Sequence, residues 1–141
     1  MLTPIRILDW QFEFDQAATA EAYTRLSVDC TCSFCRNFLI AVHHLPIEYD
    51  HFWRQFGIDP LKPAEIIEYN RNPDGTHFYS WWYHVVGRMI KGDNSGTHTL
   101  DSGITVEISS KNYLVAPDFP RPVLQLEFFA NLPWLLAEAC W

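Results

Sequence analysis

The run from Thr76 to Ile90 constrains the fold more than any other part of the chain. Phe78, Trp82 and Val86 fall on one side of an extended backbone, and Tyr79, Trp81, Tyr83, Val85 and Met89 on the other. A strand with apolar side chains on both sides has to be covered on both sides, at least in part. It belongs in the middle of a sheet, with strands beside it and a second layer over it. The chain has 141 residues, the size of one domain, expected to span residues 1–141. Apolar residues make up 48% and charged residues 19%, enough for such a core and too apolar for a disordered chain.

The neighbouring strands show in the same period-two pattern. Arg6–Phe14 reads as one strand, with Leu8, Trp10, Phe12 and Phe14 alternating with Ile7, Asp9, Gln11 and Glu13. Ala64–Arg71 reads as another, and Asn72-Pro73-Asp74-Gly75 has the residues of a type I turn leading into Thr76. Gly92–Gly96 is a turn, Ile104, Val106 and Ile108 mark a strand, and Pro117–Pro122 is a loop. Val123–Phe129 is the last strand, broken by Leu132-Pro133-Trp134.

Helices are expected between the first strand and the rest. Asp15–Arg25, rich in alanine, forms a short helix or an ordered loop. Ser33 caps a helix running from Phe34 to about His44, with Phe34, Phe38 and Ala41 on one side and Arg36 and His43 facing out. Pro46 begins a second, whose apolar face is Tyr49, Phe52, Trp53 and Phe56 and whose stop is Gly57. Asp59–Pro63 is a stiff connector. The expected class is α+β: a mainly antiparallel sheet of about five strands, with two or three helices packed on one face, one of them carrying a cysteine cluster.

Ten Lys and Arg against seventeen Asp and Glu give a net charge of −7. The basic residues are scattered singly, so the phosphate-neutralising cluster that nucleic acids and anionic membranes require is missing. An acidic surface suits solubility or a protein partner of opposite charge. No apolar run approaches the roughly 20 residues that cross a bilayer. Met1–Arg6 shows no secretory pattern. A reducing cytoplasm is the expected location, where clustered cysteines more often serve metal or redox chemistry than disulfides.

The cluster is Cys30, Cys32 and Cys35, and Cys140 is the remaining cysteine. Zinc takes four tetrahedral nitrogen or sulfur ligands, and thiolates two to four residues apart converge on one ion. The fourth ligand comes from His43, His44, His51 or Cys140, and His43 completes the expected set. An alternative is thiol redox chemistry at Cys32 and Cys35, since a helix N-terminus stabilises a thiolate there; the neighbouring Asp29 opposes it. A third is that the reduced cysteines simply fill space as small apolar groups. His84 reads as a buried, hydrogen-bonded group, or as an acid/base partner of Glu127 or Glu107. The chain has no Gly-x-Ser-x-Gly, Walker, His-Glu-x-x-His or EF-hand motif. Aromatic residues reach 16%, and Trp81 with Tyr79 is the pair expected on any face left open for a partner.

Cys30-Thr31-Cys32-x-x-Cys35-x-Asn37-Phe38, Gly57-Ile58-Asp59-Pro60 with Pro63-Ala64-Glu65, Trp82-Tyr83-His84 with Gly87, and Leu126-Glu127-Phe128 with Pro133-Trp134 together resemble a group of small uncharacterised bacterial proteins. The resemblance covers about residues 30 to 134 and implies a bacterial cytoplasmic protein, with no particular catalysis. By analogy with other small acidic bacterial proteins, an immunity partner of a toxin is one alternative. The leading expectation is a non-enzymatic binding domain whose cysteine cluster is structural and suited to zinc.

Overall fold

The computed structural model describes residues 2–7, 10–45, 47–91, 97–99 and 103–138. Its axis is the long strand β4 (His77–Lys91), buried without a break from Tyr79 to Gly87. β3 (Glu65–Arg71) runs antiparallel along the first half of one edge, Glu65 opposite Trp82 and Arg71 opposite His77. The expected turn joins them, with the Gly75 N–H donating to Asn72 O at 3.0 Å. β7 (Val123–Leu132) covers the other edge from His77 to Val86. β6 (Thr105–Ser109) pairs with β7, and β5 (Thr97–Thr99) with β6. β2 (Trp10–Phe14) returns to the second half of the first edge, Phe14 opposite Gly87, and β1 (Thr3–Ile7) pairs with β2. The result is an α+β fold on an antiparallel sheet of seven strands among the described residues.

β3 leaves β4 at Trp82 and β2 joins it at Gly87, so a stretch of β4 edge between them meets no strand. Helix α1 (Gln16–Tyr23) fills the gap. Asp15 N–H donates to Val86 O at 2.8 Å, and Thr19 Oγ1 accepts from Val86 N–H at 3.0 Å. The Tyr23 hydroxyl accepts from His84 N–H at 3.1 Å and donates to His84 O at 2.8 Å. Thr19 and Tyr23, four apart on one helix face, thus do what a strand would have done. Asp15 caps the helix by accepting from Ala18 N–H at 2.9 Å, and that bond holds its carboxyl below the usual range.

The core lies between one sheet face and the helices α2 (Ser33–Ala41) and α3 (Ile47–Phe56). Phe38 packs on Tyr79 and Trp81, and Trp53 on Tyr83 and Phe128, with ring centroids 4.8–6.3 Å apart. The other face is covered by the chain between β6 and β7. There Trp82 Nε1 donates to Tyr113 O at 3.0 Å, and Phe119 packs beside His84 and Tyr23.

Several expectations need correction. Arg6–Phe14 is two strands, because an alternating pattern continues unchanged through a hairpin; the connecting Leu8 and Asp9 lie outside the described residues. β5, the polar run Thr97-His98-Thr99, is a further strand among the described residues, too short and without an apolar alternation to betray it. Ser33 is the first helical residue: Cys32 holds the capping position, extended at φ −65° and ψ 162°, with no side-chain cap. Val42–His44 leaves α2 as a 3-10 turn. Tyr79 and Trp81 are fully buried under the helices, so they form no partner surface. Pro46 and the Gly92–Gly96 turn lie outside the described residues.

Gly57 stops α3 as expected, at φ +80°. A Cβ there would stand 2.5 Å from Gln16 O and 2.9 Å from Ala20 N, both backbone atoms of α1. Strain and overpacking act together, so Gly57→Ala should cost about 2 kcal/mol or more in urea unfolding. A loss under about 0.5 kcal/mol, the scale of an ordinary surface change, would contradict this close packing of α1 on α3.

Candidate metal centre

The loop before α2 shares a cleft with Glu65 and Ile66 at the start of β3 and turns into the helix at Cys32. The extended backbone of Cys32 brings the loop over the first helical turn, and Cys35, near the start of that turn, leans back toward it. The Sγ atoms of Cys30, Cys32 and Cys35 consequently all lie within 4.8 Å of one another, and those of Cys30 and Cys32 are 3.2 Å apart. Zinc–sulfur bonds of about 2.3 Å in a tetrahedron put ligand sulfurs about 3.8 Å apart. The three thiols therefore stand at the separation one thiophilic ion needs, and they could hold a metal ion. Cys35 is buried at the base of the group, whereas Cys30 and Cys32 are exposed.

Their protonation is unequal. The Cys30 thiol is held below its ordinary value, first by the hydrogen bond from Cys35, then by Cys32 N–H and the Cys32 thiol. Burial pushes the Cys35 thiol well up, and its two thiol neighbours push it further. Of Cys30 and Cys35, the thiolate is thus favoured on Cys30 and disfavoured on Cys35, the second cysteine of the Cys32–Cys35 pair that a redox motif would use. Cys30 and Cys35 also line a cleft of about 190 Å³ with Asp29 and Glu65. Among the described residues, the cleft is lined by these carboxylates and by no imidazole.

Arg36 fastens the loop to the helix: its Nε donates to Thr31 O at 2.9 Å, and its guanidinium pairs with Glu138. Asn37 is fully buried on the next position. Its Nδ2 donates to Pro133 O at 3.0 Å, and its Oδ1 accepts from Leu135 N–H at 2.7 Å. In the sequence, Asn37 stood out only within the resemblance and Arg36 only as facing out, and neither had a role. A mid-helix Asn beside the Phe34–Phe38–Ala41 side was the available signal, because an amide on a buried face needs backbone partners.

The structure brings together Cys30, Cys32 and Cys35 of the expected set. His43 and His44 are exposed on the 3-10 turn and His51 is exposed on α3; none belongs to the three-thiol group found among the described residues. Cys140 lies outside the described residues. His84 is buried opposite Gln125, and its Nε2 lies 3.1 Å from Gln125 Oε1. Neither expected acid meets it: Glu127 accepts from Ser80 Oγ at 2.8 Å, and Glu107 takes Lys111 Nζ at 3.0 Å. Comparison with protein-family models, with curated proteins and with solved structures finds no match for the chain.

Burial pushes His84 down from 6.5 to about 4, against the hydrogen bond to Gln125 Oε1. The unfolded chain gains a proton there below pH 6.5, and the folded chain only near pH 4. This stabilisation is complete above pH 6.5 and is lost as pH falls through that window, to a total of about 3 kcal/mol. Urea unfolding at pH 7 and pH 4.5 should show the wild type losing more than His84→Gln. Equal losses would contradict a buried neutral imidazole.

Proposed function

We propose that the chain is a binding domain whose α2 is fastened at its start by a zinc ion on Cys30, Cys32 and Cys35. The observation that carries this reading is the convergence of the three sulfurs within 4.8 Å, one buried and two exposed. Zinc suits the set because it takes thiolates, has no redox chemistry of its own, and closes loops onto helices. The ion serves architecture, and the surface engages a protein partner. Support for the partner comes from the −7 charge and from Tyr113 and Leu114, which stand 59% and 64% exposed on the chain covering the outer sheet face. Free thiols in this number suit a reducing compartment such as the cytoplasm.

Protein purified without added metal should contain about one equivalent of zinc, and Cys35→Ser should purify without it. Wild-type protein with neither zinc nor the capacity to take it up would end the reading.

A further inference from the structure

The outer face of the sheet carries a row of rings. Tyr69, at the bulge where β3 shifts register against β4, packs on Phe78 with centroids 5.3 Å and planes 32° apart. Phe78 in turn meets Phe129 of β7 at 6.4 Å, with planes 23° apart. Three rings therefore cross three neighbouring strands. The chain between β6 and β7 meets this face further along, at Trp82 and His84. Phe78 and Phe129 are only half-buried, and Tyr69 is 50% exposed. Two residues along β7 from Phe129, on the same face, Glu127 stands directly opposite Glu107 of β6. Like charges directly opposite on neighbouring strands destabilise a sheet. Lys111 brings one positive charge to this pair of negative ones: it donates to Glu107 Oε1 at 3.0 Å, and its Nζ lies 5.9 Å from the centre of the Tyr113 ring. Glu127 accepts from the Ser80 hydroxyl at 2.8 Å. The protein's own lysine already sits between a carboxylate and a ring on this face.

We propose that the Tyr69–Phe78–Phe129 face, with Glu127 at its end, docks an extended segment of a partner protein that bears arginines at alternate positions. This rests on the reading of the chain as a binding domain for a partner of opposite charge, and not on the ion. Arginine fits because its planar guanidinium both stacks on aromatic faces and forks onto a carboxylate. Alternate side chains of an extended segment stand about 6.8 Å apart, twice the rise per residue. That is close to the ring spacings of 5.3 and 6.4 Å. A basic segment would also relieve the repulsion between Glu107 and Glu127, and the net charge of −7 draws it in from a distance.

Titrating the isotopically labelled full chain with the synthetic peptide Arg-Gly-Arg-Gly-Arg-Gly, followed by NMR, tests this. Resonances of Tyr69, Phe78, Glu127 and Phe129 should move together, and added salt should weaken binding. Tyr69→Leu, which keeps apolar bulk and loses the ring, should weaken it about 2–5-fold, the worth of an exposed cation–π contact. Glu127→Gln should weaken it by a similar factor. Glu21→Gln, which removes the same charge from α1, should leave the affinity nearly unchanged. The uncharged peptide Gln-Gly-Gln-Gly-Gln-Gly and the sugar cellohexaose should not bind. Equal weakening by Glu21→Gln, no shifts at high peptide concentration, or uncharged peptide or sugar on the same rings would overturn the inference. Shifts centred on Tyr113 and Leu114 would also overturn it, while leaving a basic partner standing. Arginine peptide bound on the three rings of a protein that takes up no zinc would support it and end the zinc reading.

Discussion

With zinc held on Cys30, Cys32 and Cys35 as proposed, stripping it with a chelator should lower the stability of the folded domain by about 4 kcal/mol when free zinc had stood a thousandfold above its dissociation constant. The fall follows from mass action, since the unfolded chain has no preformed cluster of three thiols. For a chain of this length that is a drop in melting temperature of roughly 15 °C. The domain should nonetheless remain folded, because Phe38, Trp53, Trp81 and Phe128 build a core that owes nothing to the ion. Amide exchange should therefore accelerate around residues 27–36 while β4 and β7 stay protected. Cys35→Ser in the presence of zinc should reproduce the stripped state. Scanning calorimetry with and without chelator gives the answer, and unchanged melting would contradict a structural ion.

Tyr23→Phe should cost about 4 kcal/mol. The substitution removes one oxygen atom, yet that oxygen is the partner of both backbone groups of His84. Tyr23 and His84 are 3% exposed, so water cannot replace it without opening the site. A buried polar group left unpaired costs about 1–3 kcal/mol, and here there are two. Thr19→Val is the milder companion: it strands only Val86 N–H and should cost about 2 kcal/mol. If Tyr23→Phe costs less than about 1 kcal/mol in urea unfolding, α1 does not complete the β4 edge in the way described.

What was legible in the sequence follows from how local each feature is. β4 and β6 stand where the alternation of Phe78–Met89 and Ile104–Ile108 places them, and so does the turn at Asn72–Gly75. The convergence of Cys30, Cys32 and Cys35 was legible too, since their spacing lets one loop and one helical turn bring them together. Which face of β4 receives the helices was not. Both faces are apolar, so the pattern is symmetric, and only Phe38 and Trp53 decide that Tyr79, Trp81 and Tyr83 point inward. The roles of Arg36 and Asn37 were hidden for a different reason. Their partners Glu138 and Pro133 stand 102 and 96 residues away, and no local period reports a contact at that distance.

The most direct measurement is X-ray absorption at the zinc edge of protein purified without added metal. A first shell of sulfur alone at about 2.3 Å, with three or four sulfurs per ion, is the predicted result. A shell of nitrogen and oxygen at about 2.0–2.2 Å would mean that the thiols of Cys30, Cys32 and Cys35 do not hold the ion.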